Sequence, residues 1–192
     1  MQIKIKELNV EEFNRYSNIP IKFEVHSIFR LKNINHGLGG IKFIEEEVEI
    51  PYIKDYDSTD DSIEDWEKDF DTSNWGVFIA ESDGIHVGGV TIAYDTPRVN
   101  MLDYRDDISV IWDMRVHPDY RGKGIGSRLF DHAVEWSMER NCKFLKVETQ
   151  NINIPACRFY VSKGCELGFI DKHAYQKEGL EDEVKLVWFK EF

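Results

Sequence analysis

Arg121-Gly122-Lys123-Gly124-Ile125-Gly126 decides how the rest of the chain is read. Three glycines in six residues let the backbone approach a ligand closely and turn its N–H groups toward one point. A helical pattern follows at once, expected from about Ser127 to Arg140. Leu129, Phe130, Ala133, Val134 and Ser137 share its buried face. The positive end of that helix dipole points at the same spot. Glycine turn and helix start together form a cradle for a pyrophosphate, with Arg121 and Lys123 adding charge to an otherwise acidic chain. A loose glycine pattern alone is as often a plain connection. This one is not a Walker loop, because Lys-Ser/Thr does not follow its second glycine. It is not a Rossmann opening either, because several strands precede it.

Reading back from the turn, Asp107 to Val116 is a mostly apolar strand. Trp75 to Ala80 and Val87 to Tyr94 form a hairpin around the turn residues Ser82-Asp83-Gly84, with Gly88-Gly89 as a bulge or close-packing point. Ser62 to Phe70 reads as an acidic helix with Trp66 and Phe70 on one face. Residues 19–53 carry only weak signals: an extended look around Lys22–Leu31 and a turn at Gly37–Gly40. Ile3 to Leu8 alternates as an opening strand, and Glu11 to Asn18 suits a short helix. Reading forward, Lys143 to Thr149 is a strand and Pro155 to Ser162 a short helix ended by Gly164. Glu166–Asp171 and Val184–Phe189 are the last strands. A β-meander followed by β-α-β-α-β-β makes an α/β sheet of mixed direction, read as one domain over 1–192.

Composition narrows the function classes. The chain has 192 residues with 42% hydrophobic content, enough for a real core. No apolar run reaches the length of a membrane span, and the start Met1-Gln2-Ile3-Lys4-Ile5-Lys6 lacks a signal peptide's apolar block. A soluble cytoplasmic protein with no membrane partner is expected. The net charge of −12 argues against nucleic acid. Between Glu45 and Asp71 stand 13 acidic residues against Lys54 and Lys68, a net of −11. Such a stretch is a solvated face or a funnel for a cationic substrate. Cys142, Cys157 and Cys165 match neither a disulfide framework nor a zinc spacing, and the six histidines are scattered, so no metal is expected.

The stretch Val116-His117-Pro118-Asp119-Tyr120-Arg121-Gly122-Lys123-Gly124-Ile125-Gly126 resembles the signature of the GNAT superfamily of N-acetyltransferases, Arg/Gln-x-x-Gly-x-Gly/Ala. A companion motif, Asn153-Ile154-Pro155-Ala156-Cys157-Arg158-Phe159-Tyr160, ends at Gly164. Pro51-Tyr52-Ile53-Lys54, the acidic stretch after it, and Val147-Glu148-Thr149-Gln150-Asn151-Ile152-Asn153 look like streptothricin acetyltransferases within that superfamily. Trp112 departs from the likeness, since those proteins tend to carry an acidic residue just before the position of Asp113.

The resemblance implies a GNAT fold: a mixed, mostly antiparallel central sheet with splayed strands and flanking helices. It implies acetyl-coenzyme A as cosubstrate, held by the backbone of Met114, Arg115 and Val116, by Arg121 to Ser127, and by Asn153, Ala156 and Tyr160. Superfamily members are often dimers, which extends the partner expectation to a homodimer. The reaction implied moves an acetyl group to a primary amine of a cationic small molecule, foremost the β-lysine part of streptothricin.

Acetyl transfer requires an amine that has lost its proton and an acid for the departing thiolate. Tyr160 matches the superfamily tyrosine near the coenzyme A sulfur, and is otherwise a packing residue beside Phe159. Glu148, mid-strand and twelve residues earlier, matches the general base of some relatives. Asp113 is the rival base or an ammonium anchor, and either carboxylate could be structural. Tyr52, Tyr56 and Trp112 are candidates to stack on a cationic acceptor, or ordinary packing residues. Two other readings stay open: an acetyltransferase for a polyamine, aminoglycoside or protein lysine, and a non-catalytic acyl-coenzyme-A sensor.

Overall fold

Asp83 and Gly84, at φ 51° and 80°, close the tight turn expected between the two hairpin strands, with Ser82 paired directly to Ile85. The computed structural model of the chain describes residues 2–9, 12–58, 63–175, 180 and 182–192. Among them run nine strands and four α-helices. In chain order these are β1 (Ile3–Glu7), α1 (Phe13–Ser17), β2 (Phe23–Asn33), β3 (Ile41–Lys54), α2 (Ile63–Asp69), β4 (Gly76–Ser82), β5 (Ile85–Tyr94) and β6 (Ile108–Val116). After them come α3 (Ile125–Met138), β7 (Phe144–Gln150), α4 (Ile154–Ser162), β8 (Glu166–Asp171) and β9 (Lys185–Glu191). The starts expected for two helices, Glu11 and Ser62, lie outside the described residues.

Seven strands hydrogen-bond in the order β1-β4-β5-β6-β7-β9-β8, and β2 pairs with β3 as a separate ribbon. The pairs β1/β4, β4/β5 and β5/β6 are antiparallel, and β6/β7 is parallel. The chain divides into two compact units, with the boundaries inside β7 and β9: Met1–Lys22, Asp55–Val147 and Phe189–Phe192, then Phe23–Lys54 and Glu148–Trp188.

In the first unit, α3 lays Ile125, Leu129, Phe130, Ala133, Trp136 and Ser137 inward, a stripe at helical spacing. Each large apolar side chain buried there contributes roughly 1.5–3 kcal/mol. Val134, expected on that face, is half-buried, and Trp136 joins instead. The buried Ser137 hydroxyl donates to the Ala133 carbonyl and accepts from Ser109 of β6, both at 2.7 Å, so the helix is tied to the strand without an unpaired hydroxyl. A second cluster gathers Tyr16, Trp66, Trp75, Val77, Ile79, Ile108 and Val110, with Phe70 and Trp112 packed against it.

In the second unit, β2 and β3 form a ribbon 11 and 14 residues long. Its outer strand was weakly legible because Glu45-Glu46-Glu47-Val48-Glu49 shows no apolar alternation; the backbone pairing with β2 makes it a strand. Val25 and Ile28 of that ribbon bury against Ile152. Asn151, itself buried, donates to the carbonyls of Phe29 (2.9 Å) and Asp182 (3.2 Å) and accepts from the Val184 N–H at 2.7 Å.

The glycine pair of β5 packs closely on both faces. A Cβ on Gly88 would lie 3.0 Å from Ile125 and Leu129 of α3, and one on Gly89 would lie 2.4 Å from the Tyr16 ring and 3.0 Å from the Phe78 carbonyl. Gly89→Ala should therefore cost about 1–3 kcal/mol of stability as an overpacking change, read from the midpoint of urea unfolding. An unchanged midpoint would show that the Tyr16 ring gives way freely.

Candidate active site

The cradle is built by backbone geometry. Gly122 and Gly124 sit at φ 73° and 79°, and Gly124 is the N-cap of α3. Among the described residues, the first N–H of this stretch to find a partner is that of Arg128, on the Gly124 carbonyl at 3.2 Å. The N–H groups from Gly122 to Ser127 precede it and have no backbone partner among the described residues. No atom lies within 4 Å of a Cβ placed on Gly122 or Gly124, so the concavity stays open. The two cations of the loop brace it: Arg121 donates to the carbonyls of Val116 (3.2 Å) and Lys22 (2.7 Å). Lys123 donates to the Asp119 carbonyl at 2.8 Å and lies 4.6 Å from the centre of the Tyr120 ring. Free amides at the start of a helix, with open space beside Gly122 and Gly124, are suited to an anionic group such as a pyrophosphate.

β6 leads into that cradle and changes register on the way. Thr91 of β5 pairs with Asp113 but Ile92 pairs with Ile111, so Trp112 is an extra, bulged residue. The ladder from β6 to β7 also ends there, at Ile111 with Val147, while β6 continues to Val116. Among the described residues no ladder to β7 continues beyond Ile111 to Met114, Arg115 and Val116, an edge of the kind an extended chain can pair with.

Asp113 is held within the first unit on all sides. Arg115 donates to both of its oxygens, at 2.9 and 2.7 Å, and the Tyr16 hydroxyl donates to one of them at 2.6 Å. The Arg115 side chain is 4% exposed and also donates to the Ile19 carbonyl and to Asp57. Burial works against its charge, but hydrogen bonding and attraction from Asp113 outweigh it and raise its pKa above the usual arginine value. Burial first, then the Asp113 charge, pushes the Tyr16 hydroxyl well above the usual tyrosine range. Trp112 lies 5.3 Å from Phe70 and 5.4 Å from Trp75, ring centre to ring centre. Tyr56 is half-buried in the same unit.

The second unit carries the other expected residues. Glu148 accepts from the Tyr175 hydroxyl at 2.6 Å on one oxygen and ion-pairs with Lys185 through the other. Gln150 donates to the Tyr175 oxygen at 2.8 Å. Asn153 caps α4, its side chain accepting from the Ala156 N–H at 3.2 Å. Tyr160 is buried on α4, edge-on to Phe159 at 5.4 Å. Tyr52 is 41% exposed on β3. Tyr16, Tyr175 and Lys185 escaped the sequence reading; only Lys185 left a trace, as a lone cation opening the apolar run Leu186-Val187-Trp188-Phe189. Among the described residues no cluster of His, Cys, Asp or Glu could hold a metal, and no helix is long and apolar enough to cross a membrane.

The fold and the amides at the start of α3 suit an enzyme whose cosubstrate carries a pyrophosphate. Residues 41–165 match the acetyltransferase (GNAT) family, and the chain belongs to that family. It is 29% identical to streptothricin acetyltransferase A of Bacillus subtilis (strain 168) over 192 residues, the full length of both chains. Identity to a streptothricin acetyltransferase of Escherichia coli is 31% over 140 residues, covering 72% of this chain and 70% of that one. A candidate streptothricin acetyltransferase from Bacillus anthracis str. Ames, solved in complex with acetyl coenzyme A, superposes with a TM-score of 0.78 at 26% identity over the whole of both chains. A nourseothricin acetyltransferase shares the fold at a TM-score of 0.77 and 22% identity, covering 100% of this chain and 99% of that one. Acetyl-coenzyme A is the cosubstrate of this family, and the amides of Gly122 to Ser127 fit its pyrophosphate.

Two variants separate ligand binding from stability in the first unit. Gly124→Val forces a β-branched residue into a left-handed backbone, a strain of about 1–3 kcal/mol. Coenzyme A affinity measured by calorimetry should fall roughly ten-fold; unchanged affinity would place the pyrophosphate elsewhere. Asp113→Ala strips the buried Arg115 of its two-pronged partner and leaves it Asp57 and the Ile19 carbonyl, so unfolding stability should drop by about 3 kcal/mol. A stable Asp113→Ala enzyme lacking only turnover would make Asp113 a catalytic group.

Proposed function

We propose that the chain acetylates a primary amine of a cationic small molecule, with the β-lysine part of streptothricin as the acceptor. The observation that carries this reading is the reach of the similarity to streptothricin acetyltransferase A. It spans all 192 residues, and so includes the parts of the chain outside the 41–165 family match. Motifs for coenzyme A alone would account only for the middle of the chain.

Chemistry at the two carboxylates supports distinct roles. Asp113, its side chain 11% accessible, is bonded to the buried Arg115 and the buried Tyr16, which suits a structural carboxylate. Glu148 is partly exposed, its side chain 27% accessible, and is the better base, taking the ammonium proton through a water. Tyr160 supplies the proton for the departing thiolate. Acetyl-coenzyme A supplies the thioester whose acetyl group is transferred. Glu47 and Glu49 of β3 are exposed carboxylates that favour a cationic acceptor over an anionic one.

Thiol release from acetyl-coenzyme A should be selective for streptothricin over an aminoglycoside, spermidine and a lysine-bearing peptide. Turnover of another amine in preference would discard the antibiotic and keep the chemistry. Tyr160→Phe should lower kcat by about 10²–10⁴-fold with coenzyme A binding retained. Full turnover in that variant would remove Tyr160 from the mechanism.

A further inference from the structure

The face of β7 that carries Glu148 also carries Gln150, two residues on, and both reach one phenol. Gln150 donates to the Tyr175 oxygen at 2.8 Å, so the oxygen serves as acceptor there and its proton is directed at Glu148, 2.6 Å away. Lys185 holds the other carboxylate oxygen. Each Glu148 oxygen therefore has one donor of its own, and a side chain with three rotatable bonds is confined to one orientation. We propose that Tyr175 is a positioning residue for the deprotonation of the acceptor amine: it aims the Glu148 carboxylate, and Gln150 fixes the direction in which Tyr175 donates. The inference rests on Glu148 being the base.

A neutral phenol donating to a carboxylate is a charge-assisted bond, short and directional, and stronger than a contact between neutral groups. General-base catalysis depends steeply on where the base sits, and a misplacement of about 1 Å can cost on the order of 100-fold. Removing the hydroxyl while keeping the ring should therefore affect turnover through Glu148 and leave cofactor binding alone.

The test compares wild type, Tyr175→Phe, Glu148→Gln and the double variant. Thiol release is measured with acetyl-coenzyme A and streptothricin, alongside calorimetric acetyl-coenzyme A affinity and thermal unfolding. Tyr175→Phe should lower kcat roughly ten-fold with acetyl-coenzyme A affinity unchanged, and should change the Glu148→Gln enzyme less than about two-fold. The melting-temperature loss of the double variant should be smaller than the sum of the single losses, because Glu148→Gln already takes the charge from the bond that Tyr175→Phe removes. Wild-type kcat in Tyr175→Phe, or multiplicative losses in the double variant, would overturn the positioning role while leaving Glu148 as base. Wild-type turnover in Glu148→Gln, or no turnover of streptothricin by wild type, would instead bring down the functional reading, and this inference with it.

Discussion

One extra residue in β6 sets the geometry of the first unit. Ser109 lies on the α3 side of the strand, hydrogen-bonded to Ser137, whereas Ile108 and Val110 pack in the cluster around Tyr16. Strict alternation would send Asp113 and Arg115 to the α3 side with Ser109. The bulge at Trp112 reverses the parity, so both side chains meet Tyr16 instead, and Arg115 reaches Ile19 and Asp57. A bulge also bends a strand and increases its twist. The β6–β7 ladder stops one residue before it, and among the described residues it does not resume.

Buried polar groups in this protein are satisfied by bonds that tie distant segments together. Arg115 spends its donors on Asp113, Asp57 and the Ile19 carbonyl, linking β6 to residues nearly a hundred positions earlier. In the second unit, Asn151 joins β2 to the residues before β9, and Lys54 pairs with Glu183 at 2.6 Å with both side chains mostly buried. Such groups are costly to leave unpaired, so each bond restricts where its segment can lie. The acidic stretch is likewise less uniform than its composition: Glu45 pairs with Arg158, Asp57 with Arg115, and Glu47 and Glu49 stay exposed.

Local patterns made much of the fold legible. The two glycines at φ 73° and 79°, the α3 stripe, the Asp83-Gly84 turn and the proline-started α4 all follow from short-range rules, and all lie where those rules place them. The β2–β3 ribbon did not show clearly, because an exposed acidic strand has no alternation to display. The site divides in the same way. Backbone features were readable, since glycine and helix starts act locally. Side-chain partnerships such as Tyr16 with Asp113 or Tyr175 with Glu148 join residues 97 and 27 positions apart, and no local pattern encodes them.

The sequence by itself determined the family, the cofactor class and the left-handed glycines at the start of α3, because those depend on motifs of about a dozen consecutive residues. Only the tertiary structure gave the two carboxylates different neighbours. Both are acidic residues in apolar strands and look alike on paper. Asp113 is enclosed by a buried arginine and a buried tyrosine, whereas Glu148 keeps part of its surface accessible beside a phenol and a lysine. The difference comes from a register shift and from long-range packing, which set the neighbours of a charge and so its accessibility.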